Sequence, residues 1–149
     1  GGCLTGSVHS AVELHGFLSY LAKCIIQGKD YTIYGYKGKQ VRDQIHSKDV
    51  ILAFEAFRKN PKKGEVYNLG GGKNNAASMQ DCISKICKLT NKEFKPKYEE
   101  KNREGDHICY YSDLRKIRSH YPEWDITISL DDIIKDIVNF ELEANKISA

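Results

Sequence analysis

The stretch Tyr31-Thr-Ile-Tyr34-Gly-Tyr-Lys-Gly-Lys-Gln40-Val-Arg42-Asp43-Gln-Ile-His-Ser-Lys-Asp-Val50 decides how the rest of the chain is read. β-Branched and aromatic residues on both sides of two glycines predict a strand over 31–34, a turn over 35–39 and a second strand over 40–45. Ser47 is expected to cap the helix that follows. Such a hairpin sets the Tyr34 ring beside the Arg42 guanidinium. A ring offers a stacking face and a guanidinium a fixed two-pronged donor, so the pair suits a ligand with a flat base and a phosphate. The same residues also describe a plain surface hairpin, with one buried tyrosine and one solvated arginine. Composition by itself favours that blander reading.

Upstream of this stretch, apolar residues recur at three- and four-residue steps from Val12 to Ile26, which predicts a long helix closed by Gly28. His15 and Gly16 fall inside it, and a glycine there costs up to about 1 kcal/mol relative to alanine. Downstream, a second helix over 47–59 carries Val50, Ile51, Ala53, Phe54 and Phe57 on one face and stops at Asn60-Pro61. Residues 64–70 read as a strand, followed by the run Gly70-Gly71-Gly72 and a helix from Met79 to Thr90. Ser78 and Asp81 form a capping box for that helix. A strand, a glycine run and a helix invite a phosphate cradle. Neither Gly-x-Gly-x-x-Gly nor a P-loop is present, however, and the glycines end well before the helix begins, so a flexible turn is the better reading.

Phe94–Glu99, with Pro96, is expected to be an edge strand. A polar lead-in then brings Arg103, Asp106, His107, Tyr110 and Tyr111 close together in sequence. Ser112 is expected to cap a short helix running to His120. A final helix over 129–146 points Leu130, Ile133, Ile134, Ile137, Val138 and Phe140 inward. The pattern gives one α/β unit, a small mixed sheet with surrounding helices.

The totals narrow the function classes. The chain has 149 residues, 40% hydrophobic and 29% charged, with a net charge of +3. The basic residues are scattered, which argues against a nucleic-acid partner. No apolar run reaches the roughly 20 residues of a membrane span, and no signal peptide is evident. The five cysteines form no CxxC pair and read as reduced thiols of a cytoplasmic protein, not as a metal site. The chain opens Gly-Gly-Cys-Leu-Thr-Gly, and its one methionine is Met79, so it is expected to be a piece of a longer polypeptide.

Three segments, "YTIYGYKGKQVRDQIHSKDV", "GEVYNLGGG" and "REGDHICYYSDLRKIRSHYPEW", stand in the order and spacing of the extended short-chain dehydrogenase/reductases. The chain resembles the C-terminal half of these NAD-dependent nucleotide-sugar epimerases and dehydratases over essentially its whole length. With "GGCLTG" and "VELHGFLSYL" included, it is most similar to the CDP-paratose 2-epimerase (CDP-tyvelose epimerase) branch. The resemblance implies the substrate-binding C-terminal portion of an extended Rossmann-type epimerase over residues 1–149, with the NAD-binding part missing. It assigns Arg42 and Arg103 to the nucleotide diphosphate, Asp106 to the ribose, Tyr34 to the base and Tyr110 to the sugar end. It puts His15 to Phe17 where the substrate helix meets the nucleotide. The implied ligand is a nucleotide-diphosphate sugar, CDP-sugar first; sibling 4-epimerase, dehydratase or decarboxylase reactions, and a stand-alone nucleotide-sugar module, remain open.

The catalytic parts of that family are absent. The sequence has no Gly-rich NAD loop and no Tyr-x-x-x-Lys pair, since Tyr20–Lys23 is one residue too short. No catalytic, cofactor-binding or metal residue is therefore expected here, and NAD would belong to the longer protein. The first helix is expected to keep a face for the missing half and to drive self-association.

Overall fold

The computed structural model describes residues 1–6 and 16–147; His15 and residues 12–14 of the expected first helix lie outside the described residues. The elements run β1 (Cys3–Thr5), α1 (Phe17–Gln27), β2 (Thr32–Tyr34), β3 (Val41–His46), α2 (Ser47–Lys59), β4 (Ala76–Ser78), α3 (Met79–Thr90), β5 (Lys97–Glu99), β6 (Cys109–Tyr110), α4 (Arg115–His120) and α5 (Leu130–Ile147). This is the mixed α/β arrangement that the sequence pattern predicts.

β3 is the spine. Its first half pairs antiparallel with β4 and parallel with β6, and its second half pairs parallel with β1. β2 stands apart, in a parallel two-stranded ribbon with β5 in which Ile33 lies opposite Tyr98 and Tyr34 opposite Glu99. The expected hairpin between 31–34 and 40–45 is therefore wrong: both strands form, but they do not pair. Between them Gly35, Tyr36, Lys37 and Gly38 all take positive φ, which turns the chain out of the β2 plane. The Gly35 N–H bonds the Glu99 carbonyl at 2.7 Å, so β2 is already committed to β5.

α1 starts at Phe17, with Gly16 before it in the left-handed region at φ 69°, and Gly28 closes it at φ 67°. Gly16 is thus not in the helix interior; it sits at the start because L residues resist that conformation. Leu18, Leu21, Ala22, Ile25 and Ile26 are buried against Cys82 and Ile86 of α3 and Ile133, Ile134 and Ile137 of α5. The expected unpartnered face of the first helix does not exist over 17–26: two helices of the same chain cover it. Phe140, expected inward on α5, is 39% exposed instead, and Glu141 takes a buried position.

A second core gathers Ile45, Ala53, Ala56, Leu114, Ile117, Tyr121 and Trp124. It is pinned by Asp49, buried in the first turn of α2. Asp49 accepts from Thr127 Oγ1 at 2.6 Å and from the Thr127 and Ile128 amides at 3.1 and 3.2 Å. The Trp124 indole donates to the Asp49 carbonyl at 2.9 Å. The cap of α2 is His46, whose Nδ1 accepts from the Lys48 amide at 3.1 Å, not Ser47. α2 buries only Asp49, Ala53 and Ala56, and its apolar face leaves Ile51 at 64% and Phe54 at 65% exposed.

Residues 64–70 run without a strand partner among the described residues, in place of the expected strand; one bond, from the Gly2 amide to the Leu69 carbonyl at 2.8 Å, ties them to β1's end of the molecule. Ser112 is not a helix cap either: α4 begins at Arg115 behind Leu114, and the Asp113 carboxylate accepts the Arg115 amide at 3.0 Å. The Ser78–Asp81 capping box of α3 forms as read. β4 and β6, each three residues or shorter, carry too little pattern to be found from sequence.

Candidate functional site

β2, the start of β3 and the loop before β6 converge on one cleft, and the sequence fixes each approach. Tyr34 is the last residue of β2. Arg42 stands on β3, in register with Ala77 of β4 and Tyr110 of β6. Arg103 and Asp106 arrive on the loop 101–107, where the Asp106 amide bonds the Arg103 carbonyl at 3.2 Å and Gly105 turns at φ 73°. That loop presses on Gly35 so closely that a Cβ there would lie 1.6 Å from Asn102 Oδ1.

The cleft, about 130 Å³, is lined by Phe17, Tyr34, Arg42, Arg103 and Asp106, together with Tyr31, Gln40 and Met79. Five of the seven residues proposed from sequence are thus in one place. Tyr110 is not among its walls: it lies on the neighbouring strand with its ring 6.4 Å from that of His107. His15 lies outside the described residues.

Within the cleft the charges meet one another. The Arg42 guanidinium pairs with the Asp106 carboxylate through Nη2 and Oδ1, both side chains about one-fifth exposed, and donates through Nη1 to its neighbour's carbonyl, Val41 O, at 2.7 Å. The Arg103 Cζ stands 4.7 Å from the Tyr34 ring centroid, a cation–π contact. One net positive charge remains, and the ring face toward Arg103 is occupied. A base can stack on that face only if the guanidinium rolls aside.

Beyond the Tyr34–Arg103 stack a wider hollow of about 690 Å³ opens, lined by both residues and by Thr32, Glu99, Lys101 and Asn102. A cleft of 130 Å³ is below the roughly 300–1,000 Å³ of ordinary ligand sites, whereas the two hollows bridged by the stack fall within it.

Several cleft residues escaped the sequence reading. The Gln40 Nε2 donates to the Tyr34 carbonyl at 3.3 Å and holds the ring's backbone against β3. Tyr31, whose hydroxyl reaches Met79 Sδ at 3.8 Å, is pushed up to about 12 by burial, with the Arg103 guanidinium pulling the other way; it is a neutral wall. A glutamine two residues ahead of an arginine was the available signal, because side chains two apart on a strand share a face.

Asp43, next to Arg42, is fully buried. Its Oδ2 accepts from the Gly72 and Ser112 amides, both at 2.9 Å, while Oδ1 has no hydrogen-bond partner among the described residues. The glycine run is packed around it: a Cβ on Gly70 would sit 2.5 Å from Asp43 Oδ2, and one on Gly71 2.0 Å from the Gln44 carbonyl. These glycines therefore serve close backbone packing. With the Gly72 amide committed to Asp43, the run offers no open cradle for a pyrophosphate, and it does not fit an NAD site. Among the described residues no cluster of His, Cys, Asp and Glu could hold a metal, and no helix is long and apolar enough to cross a membrane.

Residues 5–70 match the model of a family described as the NAD dependent epimerase/dehydratase family. A dTDP-glucose 4,6-dehydratase of Salmonella typhimurium is 38% identical over 64 residues, which cover 43% of this chain and 17% of that protein. Among solved structures, UDP-glucose 4-epimerase of Thermotoga maritima, crystallised with UDP-glucose, superimposes with a TM-score of 0.84 at 20% identity, covering 97% of this chain and 45% of that one. UDP-glucuronic acid 4-epimerase of Bacillus cereus, in complex with UDP-glucuronic acid and NAD, gives 0.83 at 26% identity, covering 96% and 44%. The chain spans less than half the length of each of these structures. It therefore has the fold found in Rossmann-type nucleotide-sugar epimerases, and its residues 5–70 carry the sequence pattern of the NAD dependent epimerase/dehydratase family.

Proposed function

We propose that this chain is the nucleotide-diphosphate-sugar-binding portion of an NAD-dependent nucleotide-sugar epimerase, of the CDP-sugar 2-epimerase kind, and that it does not turn over substrate alone. The observation that carries the reading is that Arg42 and Arg103, far apart in sequence, line the same cleft beside Tyr34. Two guanidiniums on one diphosphate each contribute roughly 1.5–3 kcal/mol through charge-assisted hydrogen bonds. To engage them, the diphosphate displaces Asp106 from Arg42, which frees that carboxylate for the ribose hydroxyls, and draws Arg103 off the Tyr34 ring, which frees the ring for the base. In this reading Tyr110, on the neighbouring strand, serves the sugar end, and Phe17, which lines the cleft, meets the nucleotide from the start of α1.

In the resembled family NAD is held by a part that precedes this one, and the reading assigns it there; the glycine run of this chain is packed on Asp43, and its sequence has no Tyr-x-x-x-Lys. NAD bound there would supply hydride exchange at a sugar carbon, and this chain's part is to hold the nucleotide so that the sugar is positioned for it. The exposed face of α2 gives the NAD-binding part a surface to cover. The five free thiols suit the reducing cytoplasm.

The test is titration calorimetry of the chain with CDP-glucose, UDP-glucose, dTDP-glucose and NAD. The reading expects binding of the nucleotide sugars, CDP-glucose tightest, with none measurable for NAD. Preference for UDP- or dTDP-glucose would move the assignment to a sibling epimerase or dehydratase, and binding of NAD alone would overturn it.

A further inference from the structure

We propose that the groove between α3 and β5 is a second ligand site that takes an amphipathic anion, an aliphatic chain ending in a carboxylate. The groove is open to solvent and measures about 1,040 Å³, at the top of the range for small-molecule sites, and its lining is largely apolar: Ile33, Ile83, Cys87, Phe94, Pro96 and Tyr98. It meets the cleft at Ile33, which lines both, and is otherwise built from different residues: Tyr98, the register partner of Ile33, lines the groove, while Tyr34 and Glu99 line the hollow.

Two observations point to the charge of the occupant. Lys37, Lys92 and Lys95 line the groove against one acid, Glu93; the Lys92 ammonium donates to the Ile26 carbonyl, while no ion pair among the described residues engages Lys37 or Lys95. The wall's own polar atoms are meanwhile used up on each other. The Gln80 amide donates to the Lys37 carbonyl at 2.5 Å, and the Tyr98 hydroxyl accepts from the Lys37 amide at 3.3 Å. Those bonds hold Lys37 in the left-handed region at φ 54°, with its side chain exposed. What is left for a ligand is an apolar slot and a positive rim, which an acyl chain and its carboxylate complement together. The groove stands on its own residues, whether or not the cleft takes a nucleotide.

Cys87 gives a direct readout, since its thiol lines the groove while Cys109 is exposed elsewhere and serves as the internal reference. The experiment follows N-ethylmaleimide modification of each cysteine by peptide mass spectrometry, in the presence of decanoate, decyltrimethylammonium or 1-decanol. Circular dichroism is recorded alongside. Decanoate is expected to slow modification of Cys87 by about tenfold while leaving Cys109 unchanged, with far less protection by the cation or the alcohol. Ser84→Trp, which fills the slot from an exposed position on α3, and the double variant Lys37→Glu/Lys95→Glu are each expected to abolish the protection; Arg42→Ala is expected to keep it. Equal protection by decyltrimethylammonium, no protection by decanoate, or protection only with loss of the dichroism signal would overturn the proposal. Protection by an acidic amphipathic helical peptide but not by decanoate would overturn it in favour of a protein partner.

Discussion

At Gly35 an added Cβ would meet Asn102 Oδ1 at 1.6 Å, on a backbone with φ 65°, so two independent constraints fall on one residue. Gly35→Ala is expected to cost about 1–3 kcal/mol of stability and to push the Arg103 loop off Tyr34. Urea unfolding measures the first effect and nucleotide affinity the second; an alanine variant as stable and as tight as the parent would contradict the packing described. Asp43 makes a comparable argument. It bridges positions 29 and 69 residues away, at Gly72 and Ser112. Asp43→Ala leaves two buried amides unsatisfied and is expected to destabilise by about 2–5 kcal/mol, whereas Asp43→Asn, whose carbonyl still accepts, should recover most of that. Equal losses for the two would mean that charge, and not acceptance, is what the site needs. Arg42 was singled out for a role in the sequence and Asp43 was not, because spacing says nothing about which distant amides a carboxylate will meet.

Among the elements, helices were read well and strand pairings poorly. The helix periods over 17–27, 47–59, 79–90 and 130–147 are long enough to state themselves, whereas β2, β4, β5 and β6 have three residues or fewer and take their partners from tertiary packing. The same limit explains the hairpin that does not pair. Period also reveals an apolar face without saying whether anything covers it. α1 turns out to be covered by α3 and α5, and α2 is the helix left with Ile51 and Phe54 exposed. Self-association of the isolated chain is accordingly expected to run through α2: sedimentation should show that Ile51→Lys and Phe54→Lys suppress it. Association that survives both substitutions would place the sticky surface elsewhere.

The α1–α3–α5 core also predicts a response to alkali. Burial pushes Tyr31 and Cys82 each up to about 12, from ordinary values near 10 and 9. Their folded-state values are raised, so the neutral forms are favoured by folding. The stability they contribute is complete below about pH 9 and is lost as pH climbs toward 12. Urea midpoints taken from pH 8 to 12 should fall across that window, less steeply in Tyr31→Phe. A flat profile would contradict the burial of both groups.

At the scale of the whole molecule, the chain has the fold of Rossmann-type epimerases while spanning less than half of their length. The assignment of a nucleotide diphosphate rests on one juxtaposition, Arg42 and Arg103 in a single cleft with the Tyr34 ring. The cleft holds one ion pair and one cation–π contact within itself, and the proposed ligand replaces both. The most direct measurement is calorimetric titration of CDP and CMP into the parent chain and into Arg42→Ala, Arg103→Ala and Lys73→Ala. The account predicts that CDP binds more tightly than CMP to the parent and to Lys73→Ala. Each arginine variant should lose about tenfold or more toward CDP, with little left of the advantage over CMP. Equal affinity for the two nucleotides in the parent, or losses in Lys73→Ala as large as those in the arginine variants, would contradict it.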